Sequence, residues 1–152
     1  MLNAGVKAPD FALPADDGTT VTLAGLKGRT VVLFFYPKDD TSGCTKEACG
    51  FRDSWKDVQR TGAVVLGVSP DGVTSHQKFK DKYALPFPLL ADTDHRVAGA
   101  YGVWGEKSMY GKRYTGILRT TFLIDGNGRI ARVFEKVKPE GHAAEVLTAL
   151  RS

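Results

Sequence analysis

The chain has 152 residues, of which 42% are hydrophobic and 25% charged, a composition typical of one soluble globular domain over residues 1–152. No apolar run approaches the roughly 18 residues that a membrane-spanning helix needs, and the first residues lack the apolar core of a secretory signal, so we expect a cytoplasmic protein without a membrane partner. The net charge is +4, but basic residues are interspersed with acids and accompany no zinc-finger, RRM or helix-turn-helix pattern, so no nucleic-acid partner is expected.

Strands and helices are predicted to alternate along the chain. β-branched and aromatic runs predict buried strands, apolar residues spaced by three and four predict helices, and Asp-Gly-Asn-Gly at 125–128 predicts a hairpin. In chain order we predict strands at 21–23 and 30–36, a helix with apolar residues from 44 to 58, a strand at 63–68, a helix at 75–83, a strand at 88–91, a helix at 95–101, strands at 122–124 and 130–134, and a helix at 142–150. This order indicates a thioredoxin-like, three-layer α/β domain with a central mixed β-sheet flanked by helices.

Cys44 lies at the first turn of the helix that follows the strand at 30–36 and a polar loop. Thr41 or Ser42 is a suitable N-cap for that helix. The unpaired N–H groups and the dipole at a helix N-terminus stabilise an anion, which favours the thiolate, the reactive form of cysteine. The helical pattern also places Cys44 on the core-facing side, so taken alone it could equally be a small buried apolar residue.

The second cysteine is Cys49, and the chain contains only these two, too few for a disulfide-stapled scaffold. In a continuous helix a five-residue step rises about 7.5 Å and rotates about 140°, which places the Cα atoms beyond the roughly 7 Å limit of a disulfide. Either the two cysteines are unrelated, or the first turns of the helix must unwind to join them.

Pro37, Thr41 and Cys44 form the pattern P-x-x-x-T-x-x-C. This pattern resembles the active-site loop of the peroxiredoxins, and the resemblance extends over nearly the whole chain. The Cys-x4-Cys pair is similar to the branch of bacterioferritin comigratory protein, or peroxiredoxin Q. Further similar stretches are residues 8–11, 35–37, 87–92, 101–107 and 119–125.

The resemblance implies a thiol-dependent peroxidase that reduces hydrogen peroxide and organic hydroperoxides. Cys44 would be the peroxidatic nucleophile and Cys49 the resolving cysteine, with an intramolecular disulfide reduced by thioredoxin or a similar dithiol protein. Thr41 and Arg119 would orient and stabilise the reacting atoms, backbone N–H groups of Gly43 and Cys44 would donate to the substrate, and Pro37 would exclude water. Members of this branch are often monomers, which we also expect here.

Other polar residues receive simpler interpretations. Glu47 is predicted to be a surface acid that suits the helix dipole and could act on the surroundings of Arg119. The histidines His76, His95 and His142 are predicted in surface or loop positions, since none has a partner at metal-ligand spacing, and no metal or cofactor is expected. Phe35, Phe51 and Trp55 are predicted in the core.

Two other function classes could use a pair of cysteines. A thiol–disulfide oxidoreductase on the same fold would be expected to carry C-x-x-C, whereas the cysteines here are five residues apart. A metal-binding module would need more ligands than two cysteines without a neighbouring histidine.

Overall fold

A computed structural model describes residues 1–152, with the side chain of Met109 excepted. A five-stranded sheet in the order β5-β4-β3-β8-β9 forms its centre, with β3, β4 and β5 parallel and β8 and β9 antiparallel to their neighbours. In chain order the elements are β1 (Ala12–Pro14), β2 (Thr20–Thr22), a short 3-10 helix (Ala24–Leu26), β3 (Val31–Phe35), α1 (Ser42–Asp53), α2 (Trp55–Arg60), β4 (Val64–Ser69), α3 (Val73–Tyr83), β5 (Leu89–Ala91), α4 (Arg96–Ala100), β6 (Trp104–Met109), β7 (Lys112–Ile117), β8 (Thr120–Ile124), β9 (Ile130–Phe134) and α5 (His142–Arg151).

Strand β3 shows how the sheet is covered on both faces. All five of its residues are buried, and successive side chains point to opposite faces. Leu33 and Phe35 pack into the core on the side of α4, whereas Val32 and Phe34 pack into the core on the side of α1 and α5. The predicted mixed sheet between helical layers is therefore what the structure contains.

The region around Cys44 differs from prediction in one respect. The helix predicted to continue to Val58 instead ends at Asp53, and a second helix, α2, starts at Trp55. Ser54 between them has φ −95° and ψ 10°, and its N–H bonds to the carbonyls of Gly50 and Arg52. This turn redirects the chain and leaves Trp55 only partly buried against the core.

The antiparallel β6–β7 pair was not predicted, and neither was β1. Most of β7 is exposed, so the strand lacks the apolar alternation that identifies a half-buried strand. This pair precedes the segment that carries Arg119. Among the described residues, no helix is both long enough and apolar enough to cross a membrane.

Candidate active site

Cys44 is the third residue of α1, directly after the loop that leaves β3. Its side chain is 1% exposed and packs into the core on the α1 side of the sheet. The N–H groups of the first helical turn, including those of Gly43 and Cys44, have no partner within the helix. The thiol is therefore both buried and at a helix N-terminus, which are the two positions that the sequence predicts for it.

Arg119 lies between β7 and β8 and reaches across to the same turn. Its Nη2 donates a hydrogen bond to Cys44 Sγ at 3.2 Å. A Cβ atom added at Gly43 would lie 3.1 Å from that Nη2, so a residue without a side chain lets the guanidinium approach closely. Burial opposes the charge on Arg119, but the adjoining Cys44 and Glu47 outweigh it and raise the pKa of the guanidinium.

Glu47, predicted to be a surface acid, is wholly buried beneath Arg119. Arg119 Nη1 donates to Glu47 Oε1 at 2.8 Å, which fixes the plane of the guanidinium. Burial raises the pKa of Glu47 to about 7, although Arg119 beside it opposes the rise. The other oxygen, Oε2, has no hydrogen-bond partner within the described part of the chain, which agrees with a carboxyl group that ionises reluctantly.

His142 lies beside this carboxyl, so its predicted surface or loop position was also wrong. Its side chain is fully buried at the start of α5, with Nε2 3.8 Å from Glu47 Oε2. Nδ1 lies 2.6 Å from Glu145 Oε1, and Nε2 lies 2.7 Å from the hydroxyl of Thr121. Burial lowers the pKa of His142, against the opposing effect of Glu145, so the imidazole is neutral at neutral pH.

Thr41 and Pro37 flank the loop that enters α1. Thr41 occupies the N-cap position, but its hydroxyl donates to the carbonyl of Lys38 at 2.8 Å instead of capping the helix. The lone pairs of the hydroxyl oxygen therefore stay available to a donor. Pro37 is half-buried at the start of the loop.

Cys49 lies on the same helix as Cys44, and both thiols are free. Cys49 is partly buried, and this burial raises its pKa. Since α1 is continuous through both residues, the five-residue step holds the two sulfur atoms on different sides of the helix. The structure therefore places both cysteines in one element without joining them.

The remaining histidines are His76 and His95. His76 is fully buried, so its predicted surface or loop position was wrong. His95 precedes α4 and stacks on Trp104 with ring centroids 3.8 Å apart. Among the residues that the structure describes, no group of three or more His, Cys, Asp or Glu side chains is arranged to hold a metal ion.

The sequence predicts Cys44, Thr41, Gly43 and Arg119 as site residues, and the structure brings the first turn of α1 and Arg119 together. The sequence analysis did not predict that Glu47 is buried or that His142 lies beside it. The spacing of three residues between Cys44 and Glu47 puts them on one helix face and could have indicated their proximity. His142 is almost a hundred positions away, and no local pattern relates it to Glu47.

A thiol at a helix N-terminus, hydrogen-bonded to a partly buried arginine in a mixed α/β fold, is typical of a thiol-dependent redox enzyme. Residues 4–133 match the AhpC/TSA family. The chain is 56% identical to a putative peroxiredoxin bcp of Coxiella burnetii, over 98% of this chain and 99% of the relative, and 51% identical to peroxiredoxin Bcp of Bacillus subtilis, over 99% and 96%. A bacterioferritin comigratory protein of Xanthomonas campestris, solved in trapped intermediate and ligand complexes that address alkyl peroxide reduction, superposes with a TM-score of 0.91 at 40% identity, covering 98% of each chain.

The chain therefore belongs to the AhpC/TSA family and is a peroxiredoxin of the bacterioferritin comigratory protein, or peroxiredoxin Q, branch. It is a thiol-dependent peroxidase, and the predicted thioredoxin-like fold is confirmed.

Proposed function

We propose that Cys44 is the peroxidatic residue, and the 3.2 Å contact between Arg119 Nη2 and Cys44 Sγ carries this assignment. The thiolate attacks one peroxide oxygen, the O–O bond breaks, and the sulfur becomes a sulfenic acid. The departing oxygen takes up a proton and leaves as water or an alcohol. Arg119 and the first-turn N–H groups stabilise the negative charge that moves onto that oxygen.

Three groups around the sulfur position the peroxide. The hydroxyl of Thr41, which donates its hydrogen bond to the carbonyl oxygen of Lys38, accepts a hydrogen bond from the peroxide O–H. The backbone N–H groups of Gly43 and Cys44 donate to the oxygens from the opposite side. Pro37 offers no N–H to water at the entrance of the loop and restricts its conformation.

Cys49 resolves the sulfenic acid. Its thiolate attacks Cys44 Sγ, the S–O bond breaks, and the oxygen leaves as water after protonation, which yields an intramolecular disulfide. The separation of the two residues on α1 requires the first turns of the helix to unwind before this step. A dithiol reductant of the thioredoxin type then attacks the disulfide and restores both thiols.

We infer the substrate range from a relative, and the assembly and location from the proposed cycle. Because an alkyl peroxide is named for the Xanthomonas relative, we infer that this chain also takes organic hydroperoxides as well as hydrogen peroxide. An intramolecular resolving cysteine removes the chemical need for a second subunit, so we infer a monomer, and we infer a cytoplasmic location where thioredoxin-type reductants operate.

A thiol titration with intact mass tests the cycle. One equivalent of hydrogen peroxide should consume both thiols and lower the mass by two hydrogens, and thioredoxin should reverse the change. Cys44→Ser should abolish peroxide reduction, whereas Cys49→Ser should complete a first turnover and then fail to recycle with thioredoxin. Full thioredoxin-linked activity in Cys49→Ser would show that Cys49 is not the resolving residue.

A further inference from the structure

A second buried polar cluster lies at the other end of the peroxidatic loop and has no part in the chemistry above. Its centre is Asp39, whose side chain is 4% exposed, and His76 of α3, which is 0% exposed. His76 Nδ1 lies 2.7 Å from Asp39 Oδ2, and its Nε2 lies 2.9 Å from the carbonyl oxygen of Leu90 in β5. The loop is thereby connected to a helix and to a strand at one point.

The hydrogen-bond partners fix the positions of the protons. A carbonyl oxygen only accepts, so Nε2 of His76 carries a hydrogen. Asp39 also accepts from the hydroxyls of Tyr36 at 2.6 Å and Ser75 at 2.7 Å. Burial, followed by the charge of Asp39, raises the pKa of Tyr36 well above its ordinary value, so this hydroxyl keeps its proton and donates. Three side-chain hydrogen bonds, from Tyr36, Ser75 and His76, therefore converge on the buried carboxyl group of Asp39.

The backbone at this point is held as firmly as the side chain. The N–H of Asp39 donates to Asp71 Oδ2 at 2.7 Å, and Asp71 is fixed in turn by the hydroxyl of Ser69. The next residue, Asp40, has φ +58°, a conformation that costs a non-glycine residue free energy unless its neighbours hold it. Asp40 also contacts Lys82, but that pair is 42% and 57% exposed and contributes little.

The position of this cluster in the sequence restricts the movement of Cys44. Cys44 follows Asp39 by five residues, a segment that spans at most about 18 Å when fully extended. An anchor at Asp39 therefore limits how far Cys44 can leave its pocket when α1 unwinds. It also holds Thr41, which lies between the anchor and the reactive sulfur.

We propose that the Asp39–His76 pair is a positioning clamp that fixes the upstream end of the peroxidatic loop, holds Cys44 in its peroxide-reactive arrangement and confines unwinding to residues beyond Asp40. Asp39 and His76 touch neither the peroxide nor the reacting sulfur. Their effect is on the balance between the folded helix, which reacts with peroxide, and the unwound helix, which forms the disulfide. The proposal rests on the Cys44–Cys49 cycle described above.

The test measures the two steps separately. Reduced protein is mixed with hydrogen peroxide, quenched at intervals, and analysed by mass for the sulfenic acid, which gains one oxygen, and for the disulfide, which loses two hydrogens. In Asp39→Ala the ratio of disulfide formation to Cys44 oxidation should rise about tenfold or more, because loss of a buried hydrogen bond to a charged group shifts an equilibrium by roughly that factor. Less sulfinic acid should accumulate at high peroxide, since the sulfenic acid is resolved sooner.

Three further variants distinguish a role in positioning the loop from a role in fold stability alone. Asp39→Asn keeps an acceptor for Tyr36 and offers an N–H donor to His76 Nδ1, so its ratio should stay within about twofold of that of the unsubstituted protein. Ser75→Ala removes one hydrogen bond to Asp39 and should give a smaller rise, which keeps the test decisive should Asp39→Ala not fold. Lys82→Gln alters exposed contacts, to Asp40 and to the ring of Tyr83, and should leave both rates unchanged.

Unfolding free energies of all variants complete the experiment. A merely structural role would lower stability and leave the ratio of the two rates unchanged, and that result in Ser75→Ala and Asp39→Ala would overturn the proposal. Absence of a Cys44–Cys49 disulfide in the unsubstituted protein would instead refute the proposed cycle, so the two failures are distinguishable.

Discussion

Replacing Glu47 by Gln removes a buried carboxyl group and keeps an oxygen that accepts from Arg119 Nη1. Burial raises the pKa of Glu47 from an ordinary value of 4.5 to about 7. At about 1.4 kcal/mol for each pH unit, this shift corresponds to about 3 kcal/mol of free energy of unfolding. Because the folded state binds the proton more tightly than the unfolded state, this contribution is fully present below pH 4.5 and is lost as the pH rises through about 7.

Urea unfolding of the reduced protein between about pH 4 and pH 8.5 measures this contribution. The stability of the unsubstituted protein relative to Glu47→Gln should fall by about 3 kcal/mol across that range, with most of the fall below pH 7. Glu106→Gln, at an exposed position, provides the matched control, and its difference in unfolding free energy from the unsubstituted protein should not change with pH. If the difference for Glu47→Gln did not change with pH either, the carboxyl would ionise at an ordinary pH and the reasoning from its burial would be refuted.

Three other predictions concern the site and its support. Arg119→Met should lower the rate constant for Cys44 oxidation by about a hundredfold or more, measured by stopped-flow, since it removes a donor from the developing oxyanion; a change under threefold would contradict the role of Arg119. Gly67→Ala should lower the unfolding free energy by about 1–3 kcal/mol, because its Cβ would lie 2.8 Å from Phe34 Cζ and 2.9 Å from Leu89 Cδ2; an unchanged urea midpoint would refute this. Oxidation should raise hydrogen exchange in the first turns of α1 and leave α5 protected, and unchanged exchange in α1 would rule out unwinding.

Local chemistry predicted much of the fold. The run at 30–36 identified β3, and Asp125-Gly126-Asn127-Gly128 correctly marked the β8–β9 hairpin. These features depend on residues close in sequence, which is why a pattern detects them. The β6–β7 pair escaped prediction because its largely polar strands pair with each other outside the central sheet.

In the candidate site too, residues that belong to a local motif were predicted, and contacts between distant parts of the chain were not. Cys44 and Thr41 were identified from a short motif, and Arg119 from a resemblance. Glu47 was predicted to be a surface acid from its charge, although its spacing from Cys44 places it on the core-facing side of the helix. His142, which lies against it, comes from the far end of the chain and could not be related to it by any local pattern. Likewise His76 is buried only because Asp39 and the carbonyl of Leu90 satisfy both of its nitrogens.

The partial burial of Cys49 affects the order in which the two sulfur atoms react. In the folded helix its raised pKa leaves this sulfur mostly protonated, and a protonated sulfur is a poor nucleophile. In the proposed cycle, an oxidant that meets the reduced enzyme therefore finds one reactive sulfur, at Cys44. The proposed unwinding of α1 would expose Cys49 to water and let it ionise more readily, so the motion that brings the sulfurs together would also activate the second one. On this proposal, the partial burial of Cys49 sets the order of the two oxidation events.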